Sequence, residues 1–258
     1  MAGAPLIRPG LCSVTLRGAD PPEVVAVAAD AGLAAIEWGA DTHVRPGDVG
    51  RATEVREATA RAGLAVASYG SYFLRRAADE PDFAPVLASA RALGAPRIRV
   101  WAGWCGSAAA TEADRAAVVV QSRAAADAAA GCAPGIELAF EFHGGTLTDT
   151  AAGTASLLAE VDRPGVRTYW QPPVGADYET ALAGLDLVID QVTAVHVFSW
   201  WPERQRLPLA AREALWRAVF ARLRTQGRPF DALLEFVPGD DPAAVAREAA
   251  TLRELVQA

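Results

Sequence analysis

Glycines at positions 32, 63 and 94 recur at equal intervals of 31 residues, each between an alanine-rich stretch and a short apolar run. Ala31-Gly32-Leu33-Ala34 returns as Ala62-Gly63-Leu64-Ala65, and Leu93-Gly94-Ala95 follows in the equivalent place. Glycine ends a helix in the left-handed conformation with little strain. The spacing therefore predicts three helix stops, each launching a strand, over residues 35–38, 64–69 and 97–101. Equal spacing of helix, stop and strand is the mark of βα units.

The same grammar extends through the chain. A first strand is expected over residues 11–16, with residues 1–10 as a tail, and then a helix capped by Asp20 with Pro21 and Pro22 in its first turn. A long alanine-rich helix follows from Thr111 to Ala130, with Glu112 and Asp114 near its start. Further strands are expected over 136–142, 166–171, 194–198 and 232–236, and further helices over 150–160, 177–189 and 212–227. Asp241 and Pro242 open a last helix. Eight strands alternating with eight helices, and no linker between them, predict an α/β chain folded as a single (β/α)8 TIM barrel spanning residues 1–258. That length is close to the roughly 250 residues typical of the fold. A doubly wound open sheet is the rival architecture, but neither of its usual phosphate loops, GxGxxG or GxxxxGK[ST], occurs.

A net charge of −7 and a pI near 5.1 argue against a nucleic-acid partner, because affinity for a phosphate backbone comes from clustered Lys and Arg. Cys12, Cys105 and Cys132 are odd in number and form no CxxC pair, which points away from a zinc ribbon or a disulfide framework. The first residues lack the pattern of a leader, and no run approaches the roughly 18 apolar residues of a membrane span. The expectation is a cytoplasmic protein with no membrane partner. The sequence leaves its oligomeric state open, a homo-oligomer included.

Chemistry should sit where the apolar strands stop. Residues 138–148 run from an apolar strand into Glu141 and His143 and then a Gly144-Gly145 turn. His196 and Glu235 are each embedded in an equally apolar stretch. The three histidines, His43, His143 and His196, all fall at predicted strand ends. At other strand ends stand Glu37, Trp38, Asp41, Tyr69, Tyr72, Trp101, Gln171 and Trp200. Trp38, Trp101 and Trp170 could equally be packing between barrel and helices, Trp216 sits inside a helix, and Glu37 could simply pair with Arg99. Glu141, His196 and Glu235 are harder to explain as packing. Carboxylates flanked by apolar residues must be paired, protonated or bound to a metal.

With these residues in view, the chain resembles the xylose-isomerase-like barrels, often called sugar phosphate isomerases/epimerases. The motifs that carry the resemblance are Ile36-Glu37-Trp38-Gly39-Ala40-Asp41-Thr42-His43, Ser68-Tyr69-Gly70-Ser71-Tyr72, Glu141-Phe142-His143-Gly144-Gly145-Thr146-Leu147-Thr148, His196-Val197 and Leu234-Glu235-Phe236. The resemblance implies a divalent metal held by Glu141, Gln171, His196 and Glu235, with manganese foremost and magnesium, cobalt or zinc as alternatives. Gln171 departs from the usual aspartate. An amide oxygen is a weaker partner for a hard cation, so the metal should be held less tightly.

The function implied is a metal-assisted isomerase or epimerase acting on a sugar or keto-sugar by α-proton abstraction through an enediolate. Glu141, Glu235 and His143 would be its catalytic groups, and Glu37, Trp38, His43, Tyr69, Tyr72, Trp101 and Trp200 its substrate contacts. The alternative is a lyase or dehydratase that removes the same proton from a keto-sugar, inosose or keto-glycoside and then expels a β-group. An abasic-site endonuclease and a non-catalytic sugar-binding barrel are weaker readings. The partner in each favoured reading is a small carbohydrate, and Arg75, Arg76 and Arg206 are candidate phosphate grips that could equally be solvated surface arginines.

Overall fold

The computed structural model describes residues 6–75 and 82–257. Eight parallel strands close into a ring: β1 (Ile7–Cys12), β2 (Ala35–Gly39), β3 (Ala65–Gly70), β4 (Arg97–Val100), β5 (Glu137–Phe140), β6 (Val166–Trp170), β7 (Val192–Val197) and β8 (Phe230–Leu234). Each strand pairs with the next in sequence, and β1 closes the ring against β8 with Arg8 opposite Asp231. Around it lie α1 (Pro21–Asp30), α2 (Val49–Arg61), α3 (Phe83–Leu93), α4 (Glu112–Ala130), α5 (Ala151–Val161), α6 (Tyr178–Val188), α7 (Glu213–Thr225) and α8 (Val245–Gln257). This is a (β/α)8 barrel. No described helix is long and apolar enough to cross a membrane.

The repeated glycines do what their spacing predicts, with φ of +68°, +74° and +70° at Gly32, Gly63 and Gly94. Helix starts are equally local in origin. Asp20, Thr111, Thr150 and Asp177 each accept a hydrogen bond from a first-turn N–H, a contact that contributes about 1 kcal/mol per cap. Thr111 and Asp114 complete a reciprocal capping box.

The first strand differs from expectation. It begins at Ile7 and takes in Pro9 and Gly10, while Ser13–Leu16 curls into a 3-10 turn. Pro9 still serves the ladder through its carbonyl, which accepts from Ala34 N–H at 2.9 Å. Gly10 is required by close approach: a Cβ there would lie 2.7 Å from the Ala35 oxygen and 2.8 Å from the Leu233 side chain.

Side chains two apart on a strand share a face, and this alternation separates two cores. Residues turned outward, Trp38, Tyr69, Phe140 and Trp170 among them, join the large apolar layer between ring and helices. Residues turned inward form a smaller cluster that includes Cys12, Ala35, Ala67, Ala139, Tyr169, Ala194 and Leu233. Alanines on four strands leave the room that Tyr169 and Leu233 fill, large against small. Charged groups occupy both ends of this lumen. At the amino end Asp231 accepts from Arg8 at 2.6 Å and Arg97 at 2.5 Å, and Glu137 pairs with Arg97 at 3.3 Å.

Candidate active site

At the carboxyl end, β4, β5, β6 and β8 stop one residue before Trp101, Glu141, Gln171 and Glu235. The ladder nevertheless continues through two of these residues. Glu141 N–H donates to the Val100 carbonyl at 2.8 Å and Glu235 N–H to that of Val197 at 3.1 Å. Both carboxylates are therefore carried by barrel backbone, the rigid part of the molecule. The Gly144-Gly145 turn folds back beneath Glu141, and Thr148 donates to the Glu141 carbonyl at 2.5 Å. After Glu235 the chain turns through Phe236 in the left-handed region (φ +55°), held by Phe236 N–H donating to Thr15 Oγ1 at 2.9 Å. A non-glycine residue held there costs on the order of 1 kcal/mol.

The polar side chains converge on His196, which is fully buried. Its Nδ1 lies 3.0 Å from Gln171 Oε1, 3.5 Å from Glu235 Oε2 and 4.0 Å from Glu141 Oε1. Its Nε2 faces Glu37 Oε1 at 3.5 Å. Arg99 bridges the two sides, with Nε 3.0 Å from Glu37 and Nη1 on Glu141 Oε2. Burial alone would raise the Glu37 carboxyl, but Arg99 and His196 outweigh it and hold Glu37 well below the usual carboxylate range. No described arginine pairs with Glu235. Burial pushes its carboxyl up, and the pull of His196 and Arg99, opposed by repulsion from Glu141 and Glu37, does not bring it back down. Burial would lower His196, yet Glu235, Glu37 and Glu141 raise it.

These residues fit a divalent cation. Three acceptor oxygens face one imidazole nitrogen, and Nδ1 carries at most one hydrogen to share among them. The ligand atoms of Glu141, His196 and Glu235 lie within 4.8 Å of one another, on the scale of donors that share a cation at about 2.1 Å. A cation would satisfy all of them in place of the proton that the surrounding carboxylates draw onto His196.

Above this floor opens a cavity of about 860 Å³, with Glu141, Arg99, Gln171 and Glu235 at its base. One wall is a run of rings: Tyr72 stacks on Trp101 at 5.8 Å, and Trp101 meets His143 at 4.6 Å. Phe198, Trp200 and Phe236, spaced 5.0 and 5.7 Å between centroids, build another. Trp200 lies in a short hairpin, Ser199–Trp200 against Arg206–Leu207, whose turn carries Arg204 to the rim. His143 Nδ1 donates to the Gly144 carbonyl at 2.6 Å, which leaves Nε2 free to accept from a ligand.

A family model described as "Xylose isomerase-like TIM barrel" matches residues 25–255. The chain belongs to the xylose isomerase-like TIM barrel family. No curated protein matches it. Among solved structures it is similar to the probable 3-DHS dehydratase AsbF involved in petrobactin synthesis from Bacillus anthracis. The two share 18% identity over 95% of this chain and 98% of that one, with a TM-score of 0.77. It is also similar to the 3-keto-D-glucoside 4-epimerase YcjR from E. coli, with 16% identity over 98% and 100% and a TM-score of 0.73. A xylose isomerase-like barrel from Mycobacterium smegmatis in complex with magnesium is 14% identical over 96% and 96%, with a TM-score of 0.72. At these identities the likeness is one of fold.

Within this family barrel the expected residues divide. Glu141, His143, Gln171, Glu235, Tyr72, Trp101 and Trp200 line the cavity, with His196 directly behind its floor. Three expected substrate contacts do not reach it. Trp38 and Tyr69 face the helical layer, where Tyr69 donates to the Val44 carbonyl at 2.7 Å, and His43 packs edge-on against Trp38 with Nε2 3.3 Å from the Ala19 carbonyl. Glu37 does point inward but lies below the floor, bound to Arg99 and accepting from Ser68 at 2.7 Å. Of the candidate phosphate grips, Arg206 is paired with Asp240 and lies over Phe236 at 4.5 Å, and Arg75 lies over Trp101 at 4.5 Å. Arg76 is outside the described residues. Arg99 and Thr15 were not anticipated at the site. Arg99 did leave a signal: Arg97-Ile98-Arg99-Val100 alternates charged and apolar residues inside a buried strand, which puts both arginines on the lumen face.

Proposed function

We propose that this barrel isomerises or epimerises a sugar or keto-sugar by removing and returning a proton on the carbon next to a carbonyl, through an enediolate. The observation that carries the reading is the meeting of Glu141 and Glu235 at the base of one aromatic-walled cavity, on either side of His196 and Gln171. Glu141, Gln171, His196 and Glu235 would hold the divalent metal, manganese being the first to try, and that ion supplies Lewis-acid stabilisation of the negative charge that develops on proton loss. Glu141 keeps Oε1 toward the cavity while Arg99 engages Oε2, which suits it to take a proton as a carboxylate. Glu235, whose carboxyl is raised, suits the return of a proton from the other side. His143 Nε2 orients a hydroxyl, and the faces of Trp101 and Trp200 receive the apolar faces of the sugar ring. This reading takes residues 1–258 as one domain acting on a small carbohydrate.

A lyase or dehydratase uses the same proton abstraction and then expels a β-group. The free Nε2 of His143, on the cavity wall, favours this second reading: after accepting a proton it would be an imidazolium able to pass that proton to a leaving oxygen and return to its neutral form. The similarity to a probable dehydratase points the same way. The test is deuterium uptake from D2O at the α-carbon of a panel of keto-sugars with manganese present. Glu141→Gln and Glu235→Gln should each slow uptake by about 10²–10⁴-fold. Uptake at the parent rate in both variants would sink the assignment, and loss of a group from the product mass would select the lyase.

A further inference from the structure

Arg99 at the cavity floor and Glu37 beneath it form an ion pair in which both side chains are 3% exposed or less. Such a pair is a poor device for stability alone, since the cost of removing two charges from water is offset only in part by their attraction. The surroundings suggest another use. Arg99 spans two carboxylates, and the second, Glu141, is on the cavity floor. Glu37 Oε2 accepts from Ser68, which leaves Oε1 to face Arg99 Nε at 3.0 Å and His196 Nε2 at 3.5 Å. That nitrogen is buried and makes no hydrogen bond among the described residues, and the Glu37 oxygen at 3.5 Å is the acceptor it faces. The backbone is cut back to admit the group: a Cβ on Gly70 would stand 2.7 Å from Arg99 Nη2 and 2.9 Å from Glu37 Oε1.

We propose that Glu37 and Arg99 form a positioning pair for the metal-binding side chains. Glu37 holds the Nε2–H of His196, so that Nδ1 turns its lone pair toward the cavity, and Arg99 occupies one oxygen of Glu141, so that only the other faces a cation. A carboxylate behind a ligating histidine fixes both ring orientation and tautomer, and its loss typically lowers metal affinity by about 10–100-fold. The proposal rests on the metal-assisted reading above and assigns no contact with substrate to either residue.

The test is titration of the purified, chelator-treated protein with Co2+, followed by calorimetry and visible absorption. Glu37→Gln keeps the shape and an acceptor oxygen but removes the charge, and should weaken Co2+ binding by about 10-fold. Glu37→Leu removes the acceptor and should weaken it by about 100-fold, with altered visible bands. Arg99→Lys keeps the charge but loses the fork, and should change the bands by releasing the second oxygen of Glu141. Cooperative thermal unfolding checks that each variant folds. If Glu37→Leu does not fold, the isosteric Glu37→Gln carries the test. Folded variants with the parent's affinity and spectrum would overturn the positioning role alone. A parent that takes up no Co2+, Mn2+ or Mg2+ would overturn the metal-assisted reading and this proposal with it.

Discussion

At the amino end of the lumen, Arg8 and Arg97 face Asp231 and Glu137, two positive groups against two negative, each bonded to the other set. At the carboxyl end Arg99, the one arginine there among the described residues, pairs with Glu37 and Glu141, and His196 lies between them and Glu235. The clusters share β4, β5 and β8, where Arg97 and Arg99, Glu137 and Glu141, and Asp231 and Glu235 stand two to four residues apart, and what sets them apart is charge balance. A balanced, saturated cluster has no capacity left for a ligand. An unbalanced one keeps acceptors without donors, a state that weakens the fold and invites a cation or a substrate hydroxyl. Buried charge in this barrel thus separates into a balanced group at the amino end and an unbalanced group beneath the cavity.

The comparison can be broken at either end. The largest effect on stability is expected from Arg97→Ala, which leaves the buried Asp231 with Arg8 alone. Urea unfolding should register a loss of about 3 kcal/mol, with metal affinity and deuterium uptake unchanged. Next, Gln171→Asp adds a third anion to the floor. Calorimetry should find divalent ions bound at least about 10-fold more tightly, the equivalent of about 1.4 kcal/mol, and an unchanged affinity would remove Gln171 from the ligand set. Removing charge from the same floor should act in the opposite sense to Arg97→Ala. Glu235→Gln in metal-free protein should raise the melting temperature by about 2–4 °C, the equivalent of about 1 kcal/mol for a chain of this size. A lower melting temperature would mean that the upper cluster is balanced after all. The smallest effect should follow Thr15→Val, which removes the acceptor for Phe236 N–H next to Glu235. A loss of about 1 kcal/mol is expected in urea unfolding, and the comparison is sharpened if deuterium uptake slows by more than that loss explains.

Much of this was legible in the sequence because it is local. Left-handed glycines, aspartate and threonine caps, and apolar runs that stop at Glu141, Gln171 and Glu235 declare themselves within a few residues. The first strand was missed because Pro9 and Gly10 look like a tail. Both are accommodated by partners far along the chain, the Ala34 amide and the Leu233 side chain. Trp38 and Tyr69 were misplaced for a subtler reason. A strand end shows that a residue is near the mouth, but whether it faces the lumen or the helices depends on parity: Trp38 alternates with the inward Glu37, and on β3 the extra residue Ala67, between the partners of Ile36 and Glu37, turns Tyr69 outward. The sequence offers Arg99 only as a neighbour for Glu37; its second bond, to Glu141, follows from β4 and β5 lying side by side with Arg99 opposite Ala139.

Glu141 and Glu235 are attached to the last rungs of the ring, whereas Trp200, Arg204 and His143 belong to the segments that follow. Substitutions at those three positions would reshape the wall of the cavity while the ring ladder keeps Glu141 and Glu235 in register. In this molecule the walls and the floor of the cavity are therefore held by separate stretches of chain.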